Sequence, residues 1–294
     1  MNQVATANYA DMAKQMGMAA DTAKSESKAS TLARLRINHS PIMGEQEVGG
    51  KMVKLEVVSG GTYKLEVPDG PTYYAESAVI RPFIQRFMYK RFIKGSDKVP
   101  NRYVKTIMSD NLNIDLKDND GGFNCGKPAG YIQDFKSLPE KTQELIKQIK
   151  RVRVMFGVVE LKNATDAEGN SVDAPATPFI WEIENRDAFK SVGAVFTDLS
   201  KMRRLPPQHT INAGTEERNL PNGNSFFLPV TKLDVTNTLE MDNESQQMFG
   251  NFLAWITNYN EYIMNMWDEN AHKNEEVDTG MVNDFVDVDI EDFA

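Results

Sequence analysis

Cysteine is nearly absent: Cys125 stands alone among 294 residues. One thiol excludes an internal disulfide and any cysteine-built zinc cluster within one chain. Histidine is almost as scarce. His39, His209 and His272 lie far apart with no ligand spacing, so each reads as a surface or capping residue. No uninterrupted apolar run approaches the roughly 20 residues needed to cross a bilayer. Met1-Asn2-Gln3-Val4-Ala5-Thr6 has no basic region followed by an apolar one, so no secretory leader is expected. Gly121-Gly122-Phe123-Asn124-Cys125-Gly126-Lys127-Pro128 lacks the Gly-Lys-Ser/Thr of a phosphate-cradling loop. Cys125 has no candidate base near it in sequence, and no internal repeat is found. The expectation is a non-enzymatic protein without a cofactor, in a reducing, intracellular setting.

What is present is an uneven distribution of charge. The chain carries 33 basic and 42 acidic side chains, a net charge of −9. Residues 268–294 hold ten of the acidic groups and one basic group, Lys273, so the remainder carries 32 of each sign. The whole net charge therefore sits in the last 27 residues. An acidic run with isolated aromatics reads as disordered and solvated. A sharper reading is a tail that competes with a polyanion for a basic surface on the body and offers Phe285 and Phe293 to partners.

Residues 1–45 read as an N-terminal arm, with Tyr9, Met12, Met16 and Ala20 at helical spacing and a polar linker from Asp21 to Thr31. Gly44–Gly50 is a breaker region. From Lys51 the pattern turns to strand: 52–57, 63–67, the long stretch Tyr73–Lys94, and 103–108. Residues 110–130 read as loop. Ser137 is the expected cap of a helix running through Leu145, Ile146 and Ile149. Residues 151–161 and 178–183 form an expected long hairpin, and Asn185 starts a helix through Phe189, Val192 and Phe196. Residues 206–224 read as loop, 226–235 as a last strand, and 245–267 as a helix burying Phe249, Phe252, Ile256, Tyr259, Ile263 and Met266 on one face. Trp181 and Trp267 read as core. The fold class is α+β with an antiparallel β-rich core, organised as an arm over 1–45, one body over 46–267 and an acidic disordered tail over 268–294. The strands in 51–183 suffice for a five-stranded barrel or an open sheet.

The most informative stretch is 81–105. It holds Arg81, Arg86, Lys90, Arg91, Lys94, Lys98, Arg102 and Lys105 against the lone Asp97, a local charge of +7. Phe83, Phe87, Tyr89, Phe92 and Tyr103 are interleaved. Cations that track phosphates beside rings that stack bases are what single-strand binding requires, and each stacked base contributes roughly 1–3 kcal/mol. On a strand, Tyr89, Arg91 and Ile93 share one face while Lys90, Phe92 and Lys94 share the other. Lys147, Lys150, Arg151 and Arg153 extend the basic surface or form an ordinary solvated face. The bland alternative makes Phe83 and Phe87 core.

Asp115-Leu116-Lys117-Asp118-Asn119-Asp120-Gly121 resembles a cation loop only superficially. With Asp120 and Gly121 at its fifth and sixth positions, the first would be Leu116 and the twelfth Lys127. An acidic turn is the expectation. A nuclease using Asp110, Asp115, Asp118 and Asp120 would need these carboxylates to converge.

A β-rich body with a basic–aromatic strand, followed by the acidic end Asp284-Phe285-Val286-Asp287-Val288-Asp289-Ile290-Glu291-Asp292-Phe293, resembles the bacteriophage single-stranded DNA-binding proteins. The resemblance implies an OB-like barrel with helical insertions, single-stranded DNA bound without sequence specificity, and a role in phage replication, recombination or repair in the host cytoplasm. It implies that Asp284, Phe285, Asp287, Asp289, Glu291, Asp292 and Phe293 contact replication or recombination proteins and compete with DNA. Lys28-Ala29-Ser30-Thr31, with Arg34 and Arg36, is a loose version of the family's arm motif for self-association along DNA. The zinc ligands of some members are lacking. The expected DNA contacts are Arg81, Arg86, Tyr89, Lys90, Arg91, Phe92, Lys94, Arg102, Tyr103, Lys105, Lys150, Arg151 and Arg153. The alternative is a phage virion or assembly protein docking through its terminal arms.

Overall fold

The computed structural model describes residues 32–48, 50–95, 100–128, 130, 132–220 and 223–286, with only the backbone course for 46–48 and 272–286. The chain divides at Thr31/Leu32, and Leu32–Ala294 is the unit that carries every element below. Eleven strands and three α-helices are described: β1 (Ala33–Ile37), β2 (Ile42–Val48), β3 (Lys51–Val58), β4 (Tyr63–Glu66), β5 (Thr72–Ala75), β6 (Ser77–Ile93), β7 (Arg102–Lys105), β8 (Ile149–Lys162), β9 (Thr177–Ile183), β10 (Thr210–Asn219) and β11 (Ser225–Asp234), with α1 (Glu140–Gln148), α2 (Arg186–Lys201) and α3 (Asn243–Val286).

Nine strands form one sheet in the order β11-β10-β6-β8-β9-β1-β4-β5, with β7 added beside β6. Only β1 and β9 run parallel; the other pairs of this sheet are antiparallel. The fold is therefore mixed α and β around a large, mostly antiparallel sheet. β6 is its spine. Seventeen residues rich in aromatic and β-branched side chains keep it extended, and it pairs with β10 at its start, β7 at its end and β8 along its length. The register slips between Pro82 and Ile84, one extra residue on β6. That bulge turns Phe83 to the opposite face from Phe87, although the step between them along the strand is an even number of residues. Phe83 meets Phe252 of α3, whereas Phe87 meets Phe189 of α2.

The sheet curls without closing into a barrel. No ladder joins β4 or β5 to β10 or β11 among the described residues. Side chains span the gap instead: Tyr63 Oη donates to the Gly214 carbonyl at 3.0 Å and Thr215 Oγ1 to the Gly61 carbonyl at 2.6 Å. The concave side holds the largest core, where Tyr63, Leu65, Ile80, Met155, Phe179, Trp181 and Ile211 pack against Val192, Phe196 and Leu199 of α2. The convex side packs Phe83, Met88, Val152, Val154 and Phe156 against Phe252 and Ile256 of α3. Each such fully buried side chain contributes roughly 1.5–3 kcal/mol. β2 and β3 form a separate hairpin that exposes Met43, Met52, Val53 and Leu55.

Asn185 caps α2 as expected, accepting from Asp187 N and Ala188 N. Several expectations are corrected. Pro139, not Ser137, stands at the N-cap of α1, and Ser137 ends a short 3-10 turn. Residues 210–219, expected as loop, form β10, in which Ile211 and Ala213 point inward between polar neighbours. Gly44–Val48 lie in β2 rather than in a breaker. β1, within the segment read as an arm, lies inside the sheet between β9 and β4. Trp267 is only partly buried, and Phe249 is exposed. The helix expected to end at 267 continues to Val286, so helical backbone runs well into the acidic segment. Residues 1–31, the arm and Lys28–Thr31 among them, lie outside the described residues, as do Lys98 and 287–294.

Candidate nucleic-acid interface

The register of three strands builds the site. Lys90 of β6 stands directly opposite Lys105 of β7 and Lys150 of β8. Three ammonium groups thus form one cross-strand row on one face. The next row pairs Phe92 with Tyr103, their ring centroids 5.1 Å apart. These rings are 45% and 52% exposed and so open to a ligand. The Lys90 ammonium lies 4.8 Å from the Tyr103 ring centroid. Lys94 continues the face, whereas Arg86 lies on the same side beyond Met88, which is fully buried under Tyr259 of α3; neither cation pairs with an acidic side chain among the described residues. Arg102, at the β7 edge, is tied to Asp120 by two hydrogen bonds.

The lysine row has counter-ions that lie outside the basic stretch itself. Glu182, on β9, accepts from Lys90 at 2.9 Å and Lys105 at 3.3 Å. Glu184 accepts from Lys90 at 2.6 Å and Lys150 at 2.9 Å. Burial raises both carboxyls, but the lysines outweigh it and hold both below the ordinary carboxylate range. Burial lowers Lys90, and the two glutamates reverse that shift and raise it. The sequence analysis missed these glutamates, although the alternation of Trp181 and Ile183 inward with Glu182 outward carries the signal. Exposed ion pairs are worth about 0–1 kcal/mol each, so a phosphate can replace Glu184 at the exposed Lys150 at small cost. Lys90, whose side chain is only 13% exposed, is the more firmly held.

The other face of β6 is covered. Tyr89 is buried with Val104, Leu116 and Cys125, as the 110–128 segment folds across it. Asp118 holds that segment together: its carboxylate accepts from Asp120 N, Gly122 N and Cys125 N. It is an acidic turn, and among the described residues no group of three or more His, Cys, Asp or Glu could hold a metal. Burial pushes the Cys125 thiol far up, as expected of an inert core cysteine.

The structure thus sorts the thirteen expected contacts. Lys90, Phe92, Lys94, Tyr103, Lys105 and Lys150 share the open face, with Arg102 at its edge and Arg86 beyond the buried Met88. Tyr89, Arg91 and Arg151 lie on the opposite face, where Tyr89 is buried, Arg91 is half-buried and Arg151 stays exposed with its guanidinium 5.9 Å from the Phe189 ring centroid. Arg153 is buried between the Phe87 and Phe189 rings, 4.9 and 4.4 Å from their centroids, and bonds Gln85 and the Phe189 carbonyl. Burial lowers its guanidinium pKa to about 10. Arg81 lies at the far end of β6, where it bonds the carbonyls of Pro207 and Glu240.

A second aromatic group borders the interface. Trp267 of α3 donates from Nε1 to the Gly122 carbonyl at 2.9 Å, meets Phe123 at 5.6 Å and carries the Lys117 ammonium 3.7 Å from its ring centroid. Of the expected partner-binding tail, Asp284 and Phe285 fall on the helical backbone of α3, while Asp287, Asp289, Glu291, Asp292 and Phe293 lie outside the described residues. No helix among the described residues is long and apolar enough to cross a membrane. Compared with known proteins, the chain matches no family model, no curated protein and no solved structure.

Proposed function

We propose that this protein binds single-stranded DNA without sequence specificity, in phage DNA replication, recombination or repair within the host cell. The observation that carries the reading is the exposed Phe92–Tyr103 pair beside the Lys105–Lys90–Lys150 row. Rings accept any base by stacking, and ammonium groups accept the phosphates between them. Lys94 extends the path, and Arg102 joins it by exchanging Asp120 for a phosphate. Contacts to backbone and base faces carry no sequence code, which fits binding without specificity. The role is that of a binding protein and not an enzyme.

The acidic tail acts as an intramolecular competitor for this face and as the handle for replication or recombination proteins. The charge distribution supports this, as does the anchoring of α3 beside β7. The curled sheet, bridged across its gap by Tyr63 and Thr215, supports reading the body as an OB-like variant. Retention of labelled oligo-dT on a filter, with a duplex of equal length as control, tests the proposal. The single strand is retained and the duplex much less; no retention of oligo-dT at low salt overturns the reading.

A further inference from the structure

Around Tyr89, on the sheet face opposite the Phe92–Tyr103 pair, stand three cations that have no acidic partner among the described residues: Arg91 of β6, Arg151 of β8 and Lys127. The β6–β8 register places Arg151 directly opposite Tyr89, and Arg91 lies two residues further along β6 on the same face. Lys127, leaving the 3-10 turn Asn124–Gly126, brings its ammonium 5.5 Å from the Tyr89 ring centroid. Gly126 lets that turn approach closely: its φ is +95°, and an added Cβ would stand 2.9 Å from Leu145 Cδ2 and 3.4 Å from Arg91 Nη1. No ion pair is made by Arg91, Lys127 or Arg151 among the described residues. The acidic group that acts on Lys127 is Asp115, and its carboxylate already accepts from Asn124 Nδ2 at 2.7 Å. Arg91 Nε is buried without a hydrogen-bond partner.

We propose that Arg91, Arg151 and Lys127 form a phosphate-binding site around Tyr89, on the sheet face opposite the Phe92–Tyr103 pair. An unmatched donor on a buried cation is costly, and three unneutralised cations add repulsion. The Lys127 ammonium donates to the Pro128 and Gly130 carbonyls at 3.0 and 2.9 Å, which leave its charge unneutralised, and its pKa is lowered first by burial and then by Arg151. A phosphate relieves both costs. Guanidinium forks match its oxygens two at a time, and the lysine adds a point charge. Tyr89 Oη is committed to the Leu112 carbonyl at 3.2 Å, so the ring is a floor rather than a donor. The phosphate belongs to a DNA backbone or to a free phosphate compound. Only the first source rests on the proposed single-strand binding, with the strand passing from one face of the sheet to the other.

The test titrates the full chain with sodium phosphate against sodium chloride at matched ionic strength and follows thermal stability. Phosphate raises the melting temperature beyond chloride, and Arg151→Gln or Lys127→Gln weakens the apparent phosphate affinity about tenfold while circular dichroism stays unchanged. Lys201→Gln, on an exposed ion pair of α2, serves as control. No phosphate-specific stabilisation, or stabilisation undiminished in both variants, overturns the site. Oligo-dT affinity then identifies the source. A loss in Arg151→Gln, with a salt slope smaller by about one, assigns DNA; an unchanged affinity assigns free phosphate. If the wild type fails to bind oligo-dT, the phosphate titration still decides for or against the site.

Discussion

Asn270 donates from Nδ2 to the Asn119 carbonyl at 2.8 Å, and Asn119 in turn donates to the carbonyl of Tyr103 at 3.2 Å. Two hydrogen bonds therefore connect the third residue of the acidic segment to the backbone of Tyr103, the residue that carries an exposed ring of the interface. Asn119 also receives the Lys105 amide at 2.9 Å, and Lys117 lies 3.9 Å from Asp268. The start of the polyanionic end is fixed at the edge of the cationic row. At 0.15 M salt charges interact over about 8 Å, so that proximity sets how well the tail competes.

Truncation after Ala271 keeps the anchors Trp267, Asp268 and Asn270 and removes eight of the tail's ten acidic groups. Oligo-dT affinity rises several-fold at low salt, and the gain shrinks as salt screens it. Equal affinities for the truncated and full chains would end the competitor role while leaving DNA binding intact.

Phe92→Ala and Tyr103→Ala each cost about 1–3 kcal/mol of oligo-dT affinity if each ring stacks one base. Both rings are exposed, so the melting temperature barely moves. Phe83→Ala does the reverse: a buried ring packed on Phe252 is lost, stability falls by about 3–5 kcal/mol, and binding by the fraction that remains folded is unchanged. Paired titration and melting curves separate the two patterns.

Glu182→Gln and Glu184→Gln free the lysine row and tighten oligo-dT binding, each by about 0.5–1 kcal/mol. Lowering the pH acts alike. Both folded carboxyls titrate below their unfolded values, so their stabilising contribution is present above the unfolded value near pH 4.3 and is lost as pH falls through the folded one. Over the same window DNA affinity rises. The chain truncated after Ala271 is the one to measure, because tail carboxylates titrate in that range too. A pH-independent affinity in the doubly substituted chain, beside a pH-dependent one in its parent, is the expected signature.

Arg153 behaves as a core residue. Arg153→Ala leaves Gln85 and the Phe189 carbonyl without their donor, at about 1–3 kcal/mol for each buried group, and empties the space between two rings. Gly193→Ala destabilises by a related route, because a Cβ there would collide with the Arg153 guanidinium. Denaturant melts register both losses; a drop in DNA affinity of the folded Arg153→Ala chain would instead return Arg153 to the binding surface.

Most strands are legible in the sequence because aromatic and β-branched runs declare themselves locally. β10 is not: Asn212, Gly214, Glu216 and Glu217 carry little strand preference, and the strand exists because β6 and β11 flank it. The cations of 81–105 are legible as a group, but their sorting onto two faces depends on β7 and on the 110–128 segment covering Tyr89. Arg153 looks like its basic neighbours in sequence. Its burial follows from a helix, α2, that begins more than thirty residues later. Glu182 and Glu184 escape a local reading because they neutralise lysines from the end of β9 and the residue just past it, far along the chain.

The most direct test of the central claim follows intrinsic fluorescence of the full chain during oligo-dT titration at a series of salt concentrations. Binding is expected, with log K falling linearly against log salt at a slope of about −0.7 per phosphate neutralised. Absence of binding at the lowest salt, or an affinity indifferent to salt, would contradict the account.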